Sequence, residues 1–256
     1  MTVEKDKYRC LLDWFSGRHS VAVAFSGGVD STLLLKAASV VHGEAALAFF
    51  ARSSLQKSGV EARVVECCRQ FGVTLSIVDF DPLSWSDFTV NGPDRCYLCK
   101  KRVYSHFLSL LPQAAVLVDG TNVDDLSRDR PGLQAIKELG IRMPLVESGL
   151  AKDEIRSISK ELSLASWDLP TESCLAARIV AGVPLSAELL GVVKDAESYL
   201  EKRGFRGCRV RLDGASAFVT LFQGDRYRLA QLPLREDFLE ILAKLNYAKV
   251  FLDLSG

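Results

Sequence analysis

The sequence predicts a doubly wound α/β fold with a parallel sheet, followed by a smaller C-terminal α+β domain. Two observations support this fold class: short apolar segments alternate with helix-like segments, and the apolar segments are continuous rather than interleaved with polar residues. Strands that are covered by helices on both faces have this continuous apolar pattern. We place the two domains at residues 1–181 and 182–256.

The elements of the first domain follow in alternating order. Strands are predicted at 21–25, 45–50, 74–78 and 115–119, and helices at 31–38, 59–71, from about residue 94, 133–139 and 152–162. Ligands of such sheets bind outside the carboxyl ends of the strands. The segments 26–31, 51–56 and 120–130, which follow three of the strands, should therefore meet at one edge of the sheet.

The second domain has a different order of elements. After a linker at 167–170, helices are predicted at 187–202 and 227–245, and strands at 208–212, 217–222 and 248–252. This order indicates an α+β unit.

The composition limits the classes of partner. The 256-residue chain has 32 basic and 32 acidic side chains, so its zero net charge favours neither nucleic acid nor an anionic membrane. No apolar run approaches the roughly 20 residues of a membrane span, and the charged N-terminus lacks a secretory pattern. We expect a cytoplasmic protein without membrane or nucleic-acid partners, whose seven cysteines are thiols, metal ligands or reactive groups rather than disulfides.

A Ser-Gly-Gly-Val-Asp-Ser hexapeptide connects the first strand to the first predicted helix. Gly27 and Gly28 allow a sharp turn with exposed amide groups, the helix adds its positive dipole end, and Ser26 and Ser31 add hydroxyl donors. The loop contains no lysine, so Mg²⁺ or distant arginines should neutralise bound phosphates, and Asp30 should reach the metal or order the loop. The alternative is an ordinary turn with a helix cap. In its strand-turn-helix context the hexapeptide resembles the PP-loop of ATP pyrophosphatases, which cleave ATP between the α and β phosphates.

The cysteines fall into two classes. Four are predicted to be structural thiols: Cys10, Cys67, Cys68 and Cys208. Cys96 and Cys99 form a Cys-x-x-Cys pair on one face at the start of a helix, and this pair is open to interpretation as a redox dithiol, half of a zinc site or half of an iron–sulfur site.

Cys174 lies apart from the other cysteines, in a polar and aperiodic segment. Together with Cys96 and Cys99 it could hold a four-iron cluster, in which three thiolates leave one iron open to a ligand such as sulfide. The alternative is a lone nucleophilic Cys174 beside a structural pair.

Taken in order, five motifs between about residues 20 and 212 resemble the LarE family. They are the hexapeptide at 26–31, Arg-Cys-Tyr-Leu-Cys-Lys at 95–100, Gly-Thr-Asn-Val-Asp-Asp at 120–125 with Arg-Pro-Gly at 130–132, Cys-Leu-Ala-Ala-Arg at 174–178, and Cys-Arg-Val-Arg at 208–211. LarE proteins are ATP-dependent sulfur transferases of the PP-loop superfamily, with a Rossmann-like HUP fold, which build the nickel-pincer nucleotide cofactor. The resemblance implies a homo-oligomer.

The resemblance also implies a mechanism. ATP with Mg²⁺ adenylates a carboxylate of pyridinium-3,5-biscarboxylic acid mononucleotide, pyrophosphate leaves, and sulfur displaces AMP to give a thiocarboxylate. In some members a single cysteine, matching Cys174, gives up its own sulfur. Others have three cysteines, matching Cys96, Cys99 and Cys174, and use a [4Fe-4S] cluster. All three are present here, which favours the cluster form.

Matching to the family also places residues around the substrates. Glu197, Arg209 and Arg211 match residues near the substrate phosphate and metal, and the two arginines alternate along a strand and so share one face. ATP is expected to contact a second loop, which follows the strand at 115–119, through Gly120, Thr121, Asn122 and Asp124. Arg130 and Arg178 are expected to hold pyrophosphate or a substrate carboxylate.

Three rival functions remain at the level of sequence. A PP-loop tRNA thiolase would need a basic RNA-binding face. An ammonia-using ligase would leave the three cysteines unexplained, and a non-enzymatic nucleotide sensor would give Cys174 no task.

Overall fold

The computed structural model describes residues 3–127, 131–214, 216–231, 233–243 and 249–253. The described chain divides into two compact units. Unit 1 comprises Met1–Arg52, Gly59–Phe80 and Asp94–Leu169, and unit 2 comprises Ser53–Ser58, Asp81–Pro93 and Pro170–Gly256. The domain boundary at residues 181 and 182 stays a prediction.

Unit 1 is built on four parallel strands in the order β3-β2-β1-β4. The strands are β1 (Val21–Ala24), β2 (Leu47–Arg52), β3 (Thr74–Asp79) and β4 (Val116–Val118). The helices are α1 (Val3–Ser16), α2 (Val29–His42), α3 (Val60–Phe71), α5 (Arg95–Leu110), α6 (Pro131–Glu138), α7 (Pro144–Glu147) and α8 (Lys152–Glu161). This parallel sheet with flanking helices confirms the predicted fold class.

The strand order creates a switch point beside β1. The chain runs from β1 to β2 and β3 in one direction, and then crosses back to place β4 on the other side of β1. The loops after β1 and β4 therefore diverge at neighbouring strand ends, which is where open α/β sheets bind ligands. All four residues of β1 are buried, because helices cover both of its faces.

The core of unit 1 lies between the sheet and the helices. α2 has the largest apolar contribution, with Leu33, Leu34 and Leu35 all fully buried, and α1 adds Leu11 and Phe15. α1 was not predicted from the sequence. The prediction that Cys10 is a structural thiol of the core is wrong, because Cys10 is exposed on this helix.

Unit 2 contains a smaller three-stranded sheet in the order β5-β6-β7, antiparallel between β5 and β6 and parallel between β6 and β7. Its strands are β5 (Arg209–Asp213), β6 (Ser216–Thr220) and β7 (Lys249–Asp253), and its helices are α4 (Ser86–Thr89), α9 (Ala187–Lys202), α10 (Arg226–Ala230) and α11 (Leu234–Ala243). No helix of the described residues is long and apolar enough to cross a membrane.

The prediction of a single helix at 227–245 is wrong. The structure has two helices there: α10 ends at Ala230, and α11 begins at Leu234, directly after Pro233. Proline lacks the amide donor that a helix interior requires, so the segment is divided. The predicted end of this helix at Leu245 and the predicted start of the last strand at Ala248 lie outside the described residues.

Candidate functional site

The loop after β1 forms a compact turn at the amino end of α2. Gly27 has a φ of 73°, in the region that favours glycine, and a Cβ there would lie 3.0 Å from the Val64 side chain. The Ser31 hydroxyl lies 3.0 Å from the Ser26 hydroxyl and 3.2 Å from the Gly28 carbonyl. Ser26 is exposed, whereas Ser31 is buried. The turn therefore holds the first amides of α2 at an open strand end, an arrangement that suits an anion.

The loop after β4 packs directly against this turn. A Cβ at Gly120 would lie 3.1 Å from the Ser31 nitrogen and 3.2 Å from its Cα. Both neighbouring atoms are backbone, so no side chain can move aside. Glycine at 120 is thus the residue that lets the two loops touch.

Asp30 is paired within unit 1. Its carboxylate accepts hydrogen bonds from the Lys152 ammonium, at the first position of α8, and from the Asn122 side-chain amide at 3.2 Å. Asp124 in turn accepts from the Lys152 backbone amide at 2.8 Å. A lysine that is distant in sequence therefore supplies the positive charge that the loop itself lacks.

Asp119, at the end of β4, organises the second loop from below. It is 6 % exposed and accepts hydrogen bonds from Thr121 and from the Tyr104 hydroxyl, while the Lys100 ammonium lies 3.2 Å away. Burial alone would raise the pKa of Asp119, but Lys100 and the hydrogen bonds from Thr121 and Tyr104 bring that pKa below its ordinary value. The carboxylate is therefore charged and has hydrogen-bond partners, and its hydrogen bonds with Thr121 hold Gly120 and Thr121 in place.

The structure leaves one predicted residue of this region without a description. Arg130, which was expected to bind pyrophosphate or a carboxylate, lies outside the described residues. Asn122 is buried. Its backbone amide donates to the Asp125 carboxylate at 3.2 Å, and its side-chain oxygen accepts from the Asp125 backbone amide at 3.2 Å.

Cys96 and Cys99 lie in the first turns of α5, also in unit 1. Cys96 is exposed and Cys99 is half-buried. Their spacing of three residues puts both thiols on one helical face. The Arg95 guanidinium lies 3.6 Å from the Cys96 sulfur, so a positive charge stands beside this thiol.

Cys174 belongs to unit 2 and is exposed. It immediately precedes a short 3₁₀ helix, Leu175–Arg178, and its carbonyl accepts from the Ala177 amide at 3.0 Å. The neighbouring Leu175 amide donates to the Leu55 carbonyl at 2.8 Å. These backbone contacts fix the residue after Cys174, while Cys174 itself is exposed.

A buried ion-pair cluster lies behind the Cys174 segment. Glu197 on α9 is 1 % exposed, and its carboxylate accepts from Arg178 Nε at 2.6 Å and from the Val210 amide at 3.0 Å. Lys57 Nζ lies 2.7 Å from the other carboxylate oxygen. Arg178, which is 3 % exposed, also donates to the Ser173 hydroxyl, next to Cys174.

Arg209 and Arg211 share the exposed face of β5, as the alternating pattern predicts. Arg209 also donates to the Thr171 carbonyl at 3.0 Å. Partial burial and the positive charge of Arg178 lower the pKa of Arg209 below its ordinary value. Two guanidinium groups on one strand face can bind a phosphate.

Sequence reasoning missed four side chains: Lys57, Lys100, Asp119 and Lys152. Asp119 could have been found from its position between the end of a strand and Gly120. Lys57 and Lys152 could not, because their partners Glu197 and Asp30 are more than a hundred residues away. Among the described residues, no group of three or more histidine, cysteine, aspartate or glutamate side chains is arranged to hold a metal ion.

Comparison with known proteins identifies the family. No protein-family profile matches the chain. An uncharacterised protein of Synechocystis is 34% identical over 98% of this chain and 95% of its own length. A second relative, the pyridinium-3,5-bisthiocarboxylic acid mononucleotide synthase of Lactiplantibacillus plantarum, is 32% identical over 92% of this chain and 86% of its own length. Because the second similarity spans nearly the whole of both proteins, the chain belongs to the LarE family of sulfur-transfer enzymes.

Proposed function

We propose that this enzyme uses ATP to activate a carboxylate of pyridinium-3,5-biscarboxylic acid mononucleotide and replaces the activated oxygen with sulfur. The observation that carries the proposal is the 32% identity, over 92% of the chain, to a synthase named for the bisthiocarboxylic acid product. The glycine turn at the amino end of α2 supports a phosphate-binding role, and exposed Cys96 and Cys174 support thiol chemistry.

ATP binds at the two touching loops of unit 1. Backbone amides from the Gly27-Gly28 turn and the amino end of α2 receive its phosphates, and the exposed Ser26 hydroxyl adds a donor. A substrate carboxylate oxygen attacks the α-phosphorus, the bond from that phosphorus to the bridging oxygen breaks, and pyrophosphate leaves. The amides are already oriented, so they stabilise the developing negative charge without reorganisation.

The residues beside this turn also fit a magnesium ion. Asp30 and Asp124 bring carboxylate oxygens to the loops, which are the ligands that Mg²⁺ prefers. When bound, Mg²⁺ would neutralise phosphate charge. Lys152, which pairs with Asp30, adds a positive charge beside the loop that we propose binds the phosphates.

We propose that Cys96, Cys99 and Cys174 supply the three thiolates of a [4Fe-4S] cluster, as the resemblance to the cluster-dependent members of the family implies. Cys96 and Cys99 share a helical face, and Cys96 and Cys174 are exposed, so their thiols can be reached. Such a cluster would supply an iron position that carries sulfide. In the second half-reaction sulfur attacks the acyl carbon, the carbon–oxygen bond to AMP breaks, and AMP leaves with that oxygen.

Unit 2 binds the substrate phosphate and positions Cys174. Arg209 and Arg211 present their charges on one face of β5 and take the phosphate of the mononucleotide. Arg178 is held by Glu197 and donates to Ser173, so it fixes the segment that precedes Cys174. We therefore assign Arg178 and Glu197 to positioning rather than to direct contact with ATP.

The test combines two measurements on anaerobically purified protein. We expect pyrophosphate release from ATP only when the pyridinium dicarboxylate is present, and about four irons per chain that are lost in Cys96→Ala. Pyrophosphate release that does not depend on this substrate would contradict the adenylation proposal. Substrate-dependent release without iron, even after anaerobic reconstitution, would contradict the cluster and favour Cys174 as a consumed sulfur donor, detectable as a mass loss after turnover.

A further inference from the structure

A cavity of about 500 Å³ lies in unit 1, along the flank of α2. Its walls come from α2, from α3 and from the segment that follows α8. The volume is within the range of small-molecule sites. Thr32, near the amino end of α2, lines it, but no other residue that we assign to ATP, to the cluster or to the substrate phosphate does so.

One wall contains a buried hydroxyl group with an unused hydrogen-bonding capacity. Ser166 lines the cavity and is 5 % exposed, and in the described part of the chain its Oγ has no hydrogen-bond partner. Buried hydroxyl groups are almost always paired, because an unpaired one loses its hydrogen bonds to water without replacement. A ligand bound in the cavity could supply the missing hydrogen-bond partner of the Ser166 hydroxyl.

The charged groups that line the cavity are predominantly positive. Lys36 on α2 and Arg63 on α3 both line it, and within the described residues Lys36 has no carboxylate partner. The Lys36 ammonium lies 5.1 Å from the centre of the Phe71 ring instead. The one acidic lining residue, Glu66, is engaged by Arg69 at 2.7 Å and by Gln70 at 2.7 Å.

The remaining wall is apolar and unreactive. Phe71, Leu162 and Leu164 line it. Cys67 also lines the cavity, but burial and the neighbouring Cys68 raise the pKa of Cys67 to about 12, so it stays a protonated thiol at neutral pH. The chemistry of the cavity is thus that of binding rather than of nucleophilic attack.

We propose that this cavity binds a small molecule with an anionic head and an apolar body, at a site separate from ATP. Lys36, Arg63 and the Ser166 hydroxyl recognise the head, and Phe71 and Leu162 contact the body. Arg63 also donates to the Gly27 carbonyl at 3.0 Å, so the cavity shares one side chain with the phosphate loop.

Phenyl phosphate is a suitable probe, because it combines an anionic head with an aromatic body. Its binding to the full chain is measured by calorimetry, in the absence of ATP and in the presence of Mg²⁺ with excess α,β-methylene-ATP, which occupies the phosphate loop. We expect one site whose affinity is retained when this analogue is present. Inorganic phosphate has only the anionic head and phenol only the aromatic body, so each should bind at least about tenfold more weakly than phenyl phosphate.

Three variants locate the site. Lys36→Gln should weaken phenyl phosphate binding about tenfold, the loss expected for a charge-assisted contact, while Lys137→Gln, which removes the same charge from the exposed face of α6, should not change it. Ser166→Ala should weaken binding about fivefold with no loss of urea resistance, because it removes a hydroxyl that has no partner among the residues that the structure describes.

Three results would overturn the proposal. The first is no detectable binding at about 10 mM phenyl phosphate, since a formed pocket should bind the probe more tightly than that. The second is loss of binding when the ATP analogue is added. The third is equal affinity in wild type, Lys36→Gln and Ser166→Ala. None of these results depends on sulfur transfer, so they leave the proposed function standing. Conversely, the cavity can bind phenyl phosphate even if the adenylation proposal fails.

Discussion

At the scale of single residues, Gly120 is the described glycine whose Cβ would lie closest to backbone atoms. The position that its Cβ would occupy lies 3.1 Å from a backbone nitrogen and 3.2 Å from a backbone Cα, both belonging to Ser31. A side chain there can be accommodated only if the two loops separate. Gly120 therefore maintains the spacing that we propose ATP requires.

Gly120→Ala should lower substrate-dependent pyrophosphate release about tenfold or more, because the added methyl group displaces the phosphate loop. The variant should still fold, since the clash lies at the loop edge of unit 1. Gly191→Ala on α9 is the matched control, because a Cβ there meets nothing within 4 Å. Equal pyrophosphate release by Gly120→Ala and wild type would show that the contact between the loops does not matter.

Asp119 gives the folded chain a predictable response to acid. Its pKa is lowered in the folded state, so its contribution to stability is present above its unfolded pKa of roughly 4 and is lost as the pH falls through the lower folded value. In Asp119→Asn the free energy of unfolding should fall by about 2 kcal/mol at pH 7 and change less between pH 5 and pH 2.

Urea unfolding of wild type and Asp119→Asn between pH 7 and pH 2 measures this difference. Asp153→Asn, at an exposed position in the first turn of α8, serves as the control and should track the wild type. If Asp119→Asn kept the full acid dependence of the wild type, the carboxylate responsible would have to be another one.

At the scale of elements, the success of sequence reasoning depends on how local the interactions are. β1, the glycine turn and α2 are recognisable because a continuous apolar run, two glycines and a helix-forming segment follow one another within about 20 residues. The pairing of Lys152 with Asp30 joins positions 122 residues apart, and no pattern in the sequence marks it. The division between α10 and α11 was predictable from Pro233, but the helical periodicity on both sides concealed it.

The same distinction explains what was missed around α9. Glu197 has a sequence position typical of an exposed acid, yet the structure buries it between Arg178 and Lys57, which come from two other parts of the chain. An ion pair buried by tertiary packing leaves no local signal. The site prediction named Glu197 and Arg178 only because the chain resembles a family.

Glu197→Gln should destabilise the protein by about 3–5 kcal/mol, because two cations would stay buried without their anion. Glu188→Gln, at an exposed position in the first turn of the same helix, should change the free energy of unfolding by less than about 0.5 kcal/mol. Urea unfolding followed by circular dichroism compares the two variants. A loss of less than about 1 kcal/mol in Glu197→Gln would mean that water compensates the two cations.

At the scale of the whole molecule, the two units are not consecutive in sequence. Unit 2 takes two short segments, Ser53–Ser58 and Asp81–Pro93, from between elements of unit 1. These segments are bonded within unit 2: the buried Asn91 side chain donates to the carbonyls of Val180 at 2.8 Å and Val183 at 2.7 Å. Residues 170–256 alone therefore do not make up a complete unit 2.

A chain that ends at Leu169 should consequently be less stable than its size suggests. It keeps every strand of the parallel sheet, but Asn91 loses both acceptor carbonyls and Leu55 loses the amide of Leu175. Water can replace partners that are lost from newly exposed groups, so each lost hydrogen bond costs only about 0.5–1.5 kcal/mol, but the segments 53–58 and 81–93 lose the contacts that order them. We expect a lower urea midpoint or aggregation, and recovery when residues 170–256 are co-expressed. A fragment with the wild-type midpoint would show that unit 1 folds on its own.

The three shielded thiols have a consequence for an enzyme that handles sulfur. Burial raises the pKa of Cys67 and Cys208 to about 12 and that of Cys68 to about 11. Thiol–disulfide and persulfide exchange proceed through the thiolate. At neutral pH these three side chains are protonated and therefore react very slowly. In the sulfur transfer that we propose, sulfur would therefore not become bound to Cys67, Cys68 or Cys208, and the reaction would be left to more exposed thiols.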